Sequence, residues 1–319
     1  MKKFAIIGTG LIGGSIAKKL HKTYEIYGVS NAEIKSEIFA KTAIFGSENA
    51  INLIKNADII CVATPIFAYH EIFALLSGQN LDSKLVFEVG SVKKMPQKIA
   101  KKYNLKINFT HPIAGSDKSG FSSSSTDLFK SKTIILDDAN LENVQLEKIA
   151  FELGFSKVLQ LSCKKHDAIY AKVSHFPQLL SYFFTDFLAM LNLLDFDKEL
   201  QNLSDNYAKF RRLAQSNKSI WMGKNGIFNA NLKNLEKIWN IFKNYMLVNL
   251  RGENVIFSDF VGLFPRFLSD NFSEYSNYFG SGIIDFMAFK GEKFLHERLI
   301  NTAKFLEFLN TKSVLEYAN

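Results

Sequence analysis

Cysteine is nearly absent from this chain, with Cys61 and Cys163 the only two in 319 residues. They form no CxxC pair, so a disulfide scaffold and a cysteine-rich zinc site are excluded and a reducing, cytoplasmic setting is expected. Long apolar runs are missing too. The richest stretch, residues 179–194, is broken by Asp186, and nothing reaches the ~18 residues a membrane span requires. Clustered charge is also lacking. The net charge of +8 comes from 39 basic and 31 acidic residues spread along the chain, whereas nucleic-acid binding needs a basic patch or arm. No nucleic-acid or membrane partner is expected, and a mild positive field suits a small anionic substrate. No His/Asp/Glu spacing suggests a metal. Arginine is scarce: Arg211, Arg212, Arg251, Arg266 and Arg298 are all five, and none precedes position 211. Any bidentate grip on a carboxylate or phosphate must therefore come from the C-terminal part.

The rest of the composition is that of a globular protein, 47% hydrophobic and 22% charged, with length enough for about two domains. Short apolar runs at residues 4–8, 25–29, 58–63, 85–89, 107–110 and 133–136 alternate with helical patterns. This predicts an α/β, Rossmann-like, doubly wound domain over residues 1–162. From Cys163 the strand signal fades. Residues 166–194 and 232–250 read as helices, so residues 163–319 are expected to form an all-α domain for substrate binding and dimerisation. Phenylalanine is abundant, at 30 residues, and an aromatic-rich helical domain suggests a homodimer through that domain.

Met1-Lys2-Lys3 followed by an uncharged stretch to Ala17 imitates a secretory signal, but glycines at 8, 10, 13 and 14 interrupt it. Their spacing has another reading. Gly8-x-Gly10-x-x-Gly13 follows the first strand and opens a helix, the arrangement that brings a pyrophosphate to backbone N–H groups at a helix N-terminus. Gly8, Gly10, Leu11, Ile12 and Gly13 are the expected cofactor loop. The second strand ends at Ser30 where an NAD site usually has an acidic residue, and no arginine stands nearby for a 2′-phosphate. Ser30 can serve either cofactor, so NAD is favoured with NADP open. Ala63, Thr64 and Pro65, at the exit of a later strand, are expected to line the nicotinamide half.

Three further motifs stand out: Gly90-Ser91-Val92-Lys93, the run HPIAGSDKSG over residues 111–120, and HDAIYAKVSHFP over residues 166–177. Together with GTGLIGGS at 8–15 and FRRLAQSNKSIW at 210–221, they resemble the prephenate dehydrogenase family, the TyrA-type enzymes of tyrosine biosynthesis. The resemblance implies oxidative decarboxylation of prephenate to 4-hydroxyphenylpyruvate, with hydride passing to a nicotinamide cofactor. His111 is then the general base at the 4-hydroxyl, since a neutral imidazole is available near pH 7. Ser91 either hydrogen-bonds the same hydroxyl or orients His111. The resemblance places His175, Arg212 and Asp117 at the substrate, with Asp117 standing where the family has Glu. Lys93 reads as a solvated lysine, and His166 with Asp167 as helix-start or interdomain support. His21, His70 and His296 have no supporting context.

Pro177 should kink the helix beside His175. Arogenate dehydrogenase is an alternative, because one carboxylate clamp serves both substrates. A β-hydroxyacid dehydrogenase of the 6-phosphogluconate type would need a catalytic lysine, for which residues 223–226, containing Lys224, are the faint candidate. A non-catalytic dinucleotide sensor is the third alternative.

Overall fold

The computed structural model describes residues 1–116, 118–190, 201–202, 204–223 and 226–249. Asp117, Lys224, Arg251, Arg266, Arg298 and His296 lie outside the described residues. The chain forms two units, Met1–Tyr170 and a second that begins at Ala171, so residues 163–170, expected to open the second domain, fall in the first unit.

The first unit is built on an eight-stranded sheet in the order β3-β2-β1-β4-β5-β6-β7-β8. Its strands are β1 Lys3–Ile7, β2 Glu25–Ser30, β3 Lys41–Ile44, β4 Ile59–Val62, β5 Leu85–Glu88, β6 Asn108–Pro112, β7 Thr133–Leu136 and β8 Lys157–Gln160. The first six run parallel, β7 is antiparallel to β6, and β8 is parallel to β7. The helices are α1 Leu11–Leu20, α2 Glu48–Asn56, α3 Tyr69–Ser77, α4 Lys94–Lys102, α5 Asn143–Leu153 and α6 Cys163–Tyr170.

The central strands β4 and β5 are buried at every residue. Strands covered on both faces read as continuous apolar runs, which is why they stand out in the sequence. The two strands that the sequence did not reveal, β3 (KTAI) and β8 (KVLQ), are the sheet's edges and are mostly exposed. Solvated edges carry lysine and lack the apolar run. Phe4, Ile6, Leu20, Phe87, Leu136 and Leu153 share one core between sheet and helices.

β6 runs two residues past its expected end at Thr110. Antiparallel pairing with β7, His111 opposite Ile135 and Pro112 opposite Ile134, carries it on. On the other side β5 pairs only with Asn108 and Phe109, so Pro112, which has no N–H to give, lies past that ladder. His111 is therefore a strand residue, held more rigidly than a loop residue would be.

The second unit is helical where it is described. A π-helical turn, Ala171–His175, precedes α7, Phe176–Met190. The wider turn falls where Pro177 cannot donate to the carbonyl of Val173, which is the irregularity expected beside His175. A helix over Asp205–Ala214 starts at Ser204, whose side chain accepts from the Tyr207 N–H, and carries Arg211 and Arg212 in its last turn. Phe176, Leu179, Tyr182, Phe228 and Trp239 form this unit's core. No helix among the described residues is long and apolar enough to cross a membrane.

Candidate active site

The crevice of a doubly wound sheet opens where the strand order reverses, here between β1 and β4. Gly8 closes β1 with φ +96°, and a Cβ there would lie 2.6 Å from the Ala63 carbonyl oxygen. A Cβ on Gly13 would lie 1.9 Å from the Gly8 carbonyl oxygen. The protein's own packing thus demands both glycines. Gly10 differs, because a Cβ there would meet no protein atom within 4 Å. It is the N-cap of α1, and no side chain caps the helix, so the first-turn N–H groups of Leu11, Ile12 and Gly13 face this open space. The hydroxyl of Thr64, across the crevice, is buried without a hydrogen-bond partner. An uncapped helix start, an open face at Gly10 and an orphan buried hydroxyl together fit a bound dinucleotide phosphate. Ala63 is half-buried and Pro65 exposed at the same strand exit.

Ser30 ends β2 and donates its hydroxyl proton to the Ala32 carbonyl at 2.6 Å. With that proton engaged, the hydroxyl is left as an acceptor.

At the carboxyl end of β6, His111 is buried and its Nδ1 lies 2.8 Å from Nε2 of His166. His166 Nδ1 lies 2.9 Å from Oδ1 of Asp167. Asp167 also accepts the N–H groups of Lys93 (2.8 Å) and Lys94 (2.9 Å) where α4 begins. The Tyr170 ring stacks on His166 at 4.5 Å and lies 4.7 Å from His111. His166 and Asp167 are fully buried, and Asp167 supports the start of α4 as well as holding His166. Burial pushes the His166 pKa down from its ordinary value, against the opposing pull of Asp167, so the ring is neutral at pH 7.

Lys93 is likewise not solvated. It is 2% exposed, and its ammonium pairs with the fully buried Glu88 and donates to the Thr110 carbonyl. The other carboxylate oxygen of Glu88 accepts from the Tyr69 hydroxyl (2.9 Å) and the Gly90 N–H (2.7 Å). Burial raises the Glu88 pKa, and the neighbouring Lys93 works against that rise. The side chain of Lys93 therefore holds the residue before His111, while its backbone holds Asp167. Ser91 sits half-buried past the end of β5.

In the second unit, His175 is fully buried and its Nδ1 accepts from the Asn231 amide at 3.0 Å, with Trp221 edge-on at 5.9 Å. Asn231 gave no signal in the sequence. Its amide is oriented because Asn234 donates to its oxygen at 2.8 Å. Arg211 is half-buried and Arg212 exposed on the Asp205–Ala214 helix.

Residues 13–153 match the family model described as prephenate dehydrogenase, nucleotide-binding domain. This match lies wholly within the first unit. The prephenate dehydrogenase of Lactococcus lactis subsp. cremoris is 35% identical over 192 residues, 57% of this chain and 52% of that protein. The cyclohexadienyl dehydrogenase of Zymomonas mobilis is 28% identical over 193 residues, 57% of this chain and 65% of that protein. The chain thus spans between about half and two thirds of the length of these curated relatives. A crystal structure of prephenate dehydrogenase from Aquifex aeolicus, in complex with hydroxyphenyl propionate and NAD+, superposes with a TM-score of 0.65 at 24% identity, over 82% of this chain and 96% of that one. Synechocystis arogenate dehydrogenase gives 0.62 at 21% identity, over 84% and 98%. At these identities the structural likeness shows the fold, a Rossmann-type sheet followed by a helical region.

Proposed function

We propose that this protein oxidatively decarboxylates prephenate to 4-hydroxyphenylpyruvate, using NAD. The observation that carries the reading is the buried His111, held at the carboxyl end of the sheet that also bears the phosphate cradle. When bound, the nicotinamide supplies the hydride acceptor. His111 takes the 4-hydroxyl proton as C4 loses its hydride. The ring carboxylate leaves as CO2, and its bonding pair completes the aromatic ring. With His111 Nδ1 engaged by His166, Ser91 is assigned to the substrate hydroxyl. Thr64, Ala63 and Pro65 line the nicotinamide half. His175, Asp117 and Arg212 are assigned to the substrate, with Arg212 clamping a carboxylate. NAD is favoured over NADP because Ser30, as an acceptor, suits a ribose hydroxyl and has nothing to donate to a 2′-phosphate.

The burial of both cysteine thiols fits a reducing, cytoplasmic location. The exposed ring pair Phe184 and Phe210 fits self-association of the helical unit, which sedimentation would report as a dimer. Formation of NADH on mixing the protein with prephenate and NAD tests the activity. Turnover of arogenate alone would move the assignment to that substrate, and NAD binding without turnover of either would leave a sensor.

Two variants test the assigned groups. Gly10→Val should fold normally, since a Cβ there meets no protein atom within 4 Å, and should lose NAD binding by titration; retained binding would misplace the cradle. Arg212→Ala should cost ~30–1000-fold in kcat/KM, mostly through KM, as expected for a lost charge-assisted hydrogen-bond pair. A larger loss for Arg211→Ala would shift the clamp by one residue.

A further inference from the structure

We propose that His166 and Asp167 are positioning residues that fix which nitrogen of His111 accepts the substrate proton. The inference rests on the reading of His111 as the base. It follows from donor and acceptor accounting along one buried chain of groups. The Asp167 carboxylate can only accept, so the proton of the neutral His166 ring must sit on Nδ1. Nε2 of His166 then carries a lone pair, and across 2.8 Å it requires a proton on Nδ1 of His111. His111 is left with its lone pair on Nε2, the tautomer a base at that atom needs.

The chain is anchored at its far end. The two N–H groups of Lys93 and Lys94 bind Asp167 and stop the carboxylate from rotating. The stacked Tyr170 ring, tilted only 11° from His166, sets the plane of the middle imidazole. After proton uptake, His111 becomes an imidazolium whose Nδ1–H still points at His166, with the carboxylate beyond it to stabilise the charge. A triad of nucleophile, histidine and aspartate orients its imidazole by the same logic. Here a second imidazole is inserted between base and carboxylate.

His166 separates this role from a structural one. His166→Gln, which can accept from His111 and donate to Asp167, should keep the fold, NAD affinity and most activity. His166→Phe, which keeps the ring stack but can neither accept nor donate, should keep fold and NAD affinity, change KM little and lose ~10²–10⁴-fold in kcat. Nitrogen-15 NMR of histidine-labelled full-length protein reads the tautomer without turnover: His111 should be protonated at Nδ1 in the wild type and in His166→Gln, and should lose that preference in His166→Phe and in Asp167→Leu, which removes the acceptor for His166. A His111 tautomer unchanged in a folded His166→Phe protein would overturn the proposal. So would equal losses of kcat in His166→Gln and His166→Phe. Wild-type protein that does not turn over prephenate would instead overturn the functional reading, and the NMR result would still decide the tautomer.

Discussion

His111→Asn should lower kcat by ~10²–10⁴-fold while leaving the fold and NAD binding intact, the range expected for loss of a general base. Asparagine is the informative choice because its amide nitrogen stands close to where Nδ1 was. It can still donate to Nε2 of His166, so the buried chain to Asp167 survives. What disappears is the basic nitrogen on the far side of the ring. The loss should therefore appear in kcat, with KM for prephenate changed little. It should also be accompanied by loss of the rise in rate with pH that titration of a histidine base produces. Stopped-flow measurement of NADH formation across pH checks both. An unchanged kcat at every pH would remove His111 from the proton transfer.

Part of the candidate site is legible in the sequence alone, and the rest is hidden for separate physical reasons. The glycine loop is readable because the positive φ of Gly8 and the clash of a Cβ on Gly13 with the Gly8 carbonyl are demands made within the loop itself. His111 was readable by its place near a strand exit. The tie of His166 to His111 is not legible in the sequence, because the two lie 55 residues apart and nothing in the helix periodicity of residues 166–175 points back to the sheet. An adjacent His-Asp pair on a helix whose neighbours are also buried was the available sign, since two polar side chains can share a core only by satisfying each other or a third group. The edge strands β3 and β8 escaped for the opposite reason: they bury too little to leave a pattern. Lys93 reads as solvated in the sequence, yet it is buried. The contrary signal was Glu88, a carboxylate ending the run Leu85-Val86-Phe87 five residues earlier. A carboxylate buried at the end of such a strand requires a cation within reach.

That pairing sets up the largest effect expected on stability. Lys93→Met removes the ammonium but keeps most of the apolar stem, leaving Glu88 fully buried with only the Tyr69 hydroxyl and the Gly90 N–H as donors. Breaking a buried pair from one side costs about 3–5 kcal/mol, because the remaining charge has lost both water and partner. The Thr110 carbonyl loses its donor as well. The variant should show an unusual pH dependence. Burial already raises the Glu88 pKa in the folded protein with Lys93 opposing the rise, and without Lys93 it should rise further. A carboxyl whose folded pKa lies above its unfolded value destabilises the fold as pH rises through that interval. Lys93→Met should therefore lose least stability near pH 5 and most near pH 8, as measured by urea titration of variant and wild type at both values. Adding Glu88→Gln should restore much of the loss, since the amide leaves no buried charge to compensate. It should not restore full kcat, because the Thr110 carbonyl beside His111 still lacks its donor. A Lys93→Met protein as stable as the wild type at pH 8 would mean that Glu88 is already protonated there and the ion pair does not exist.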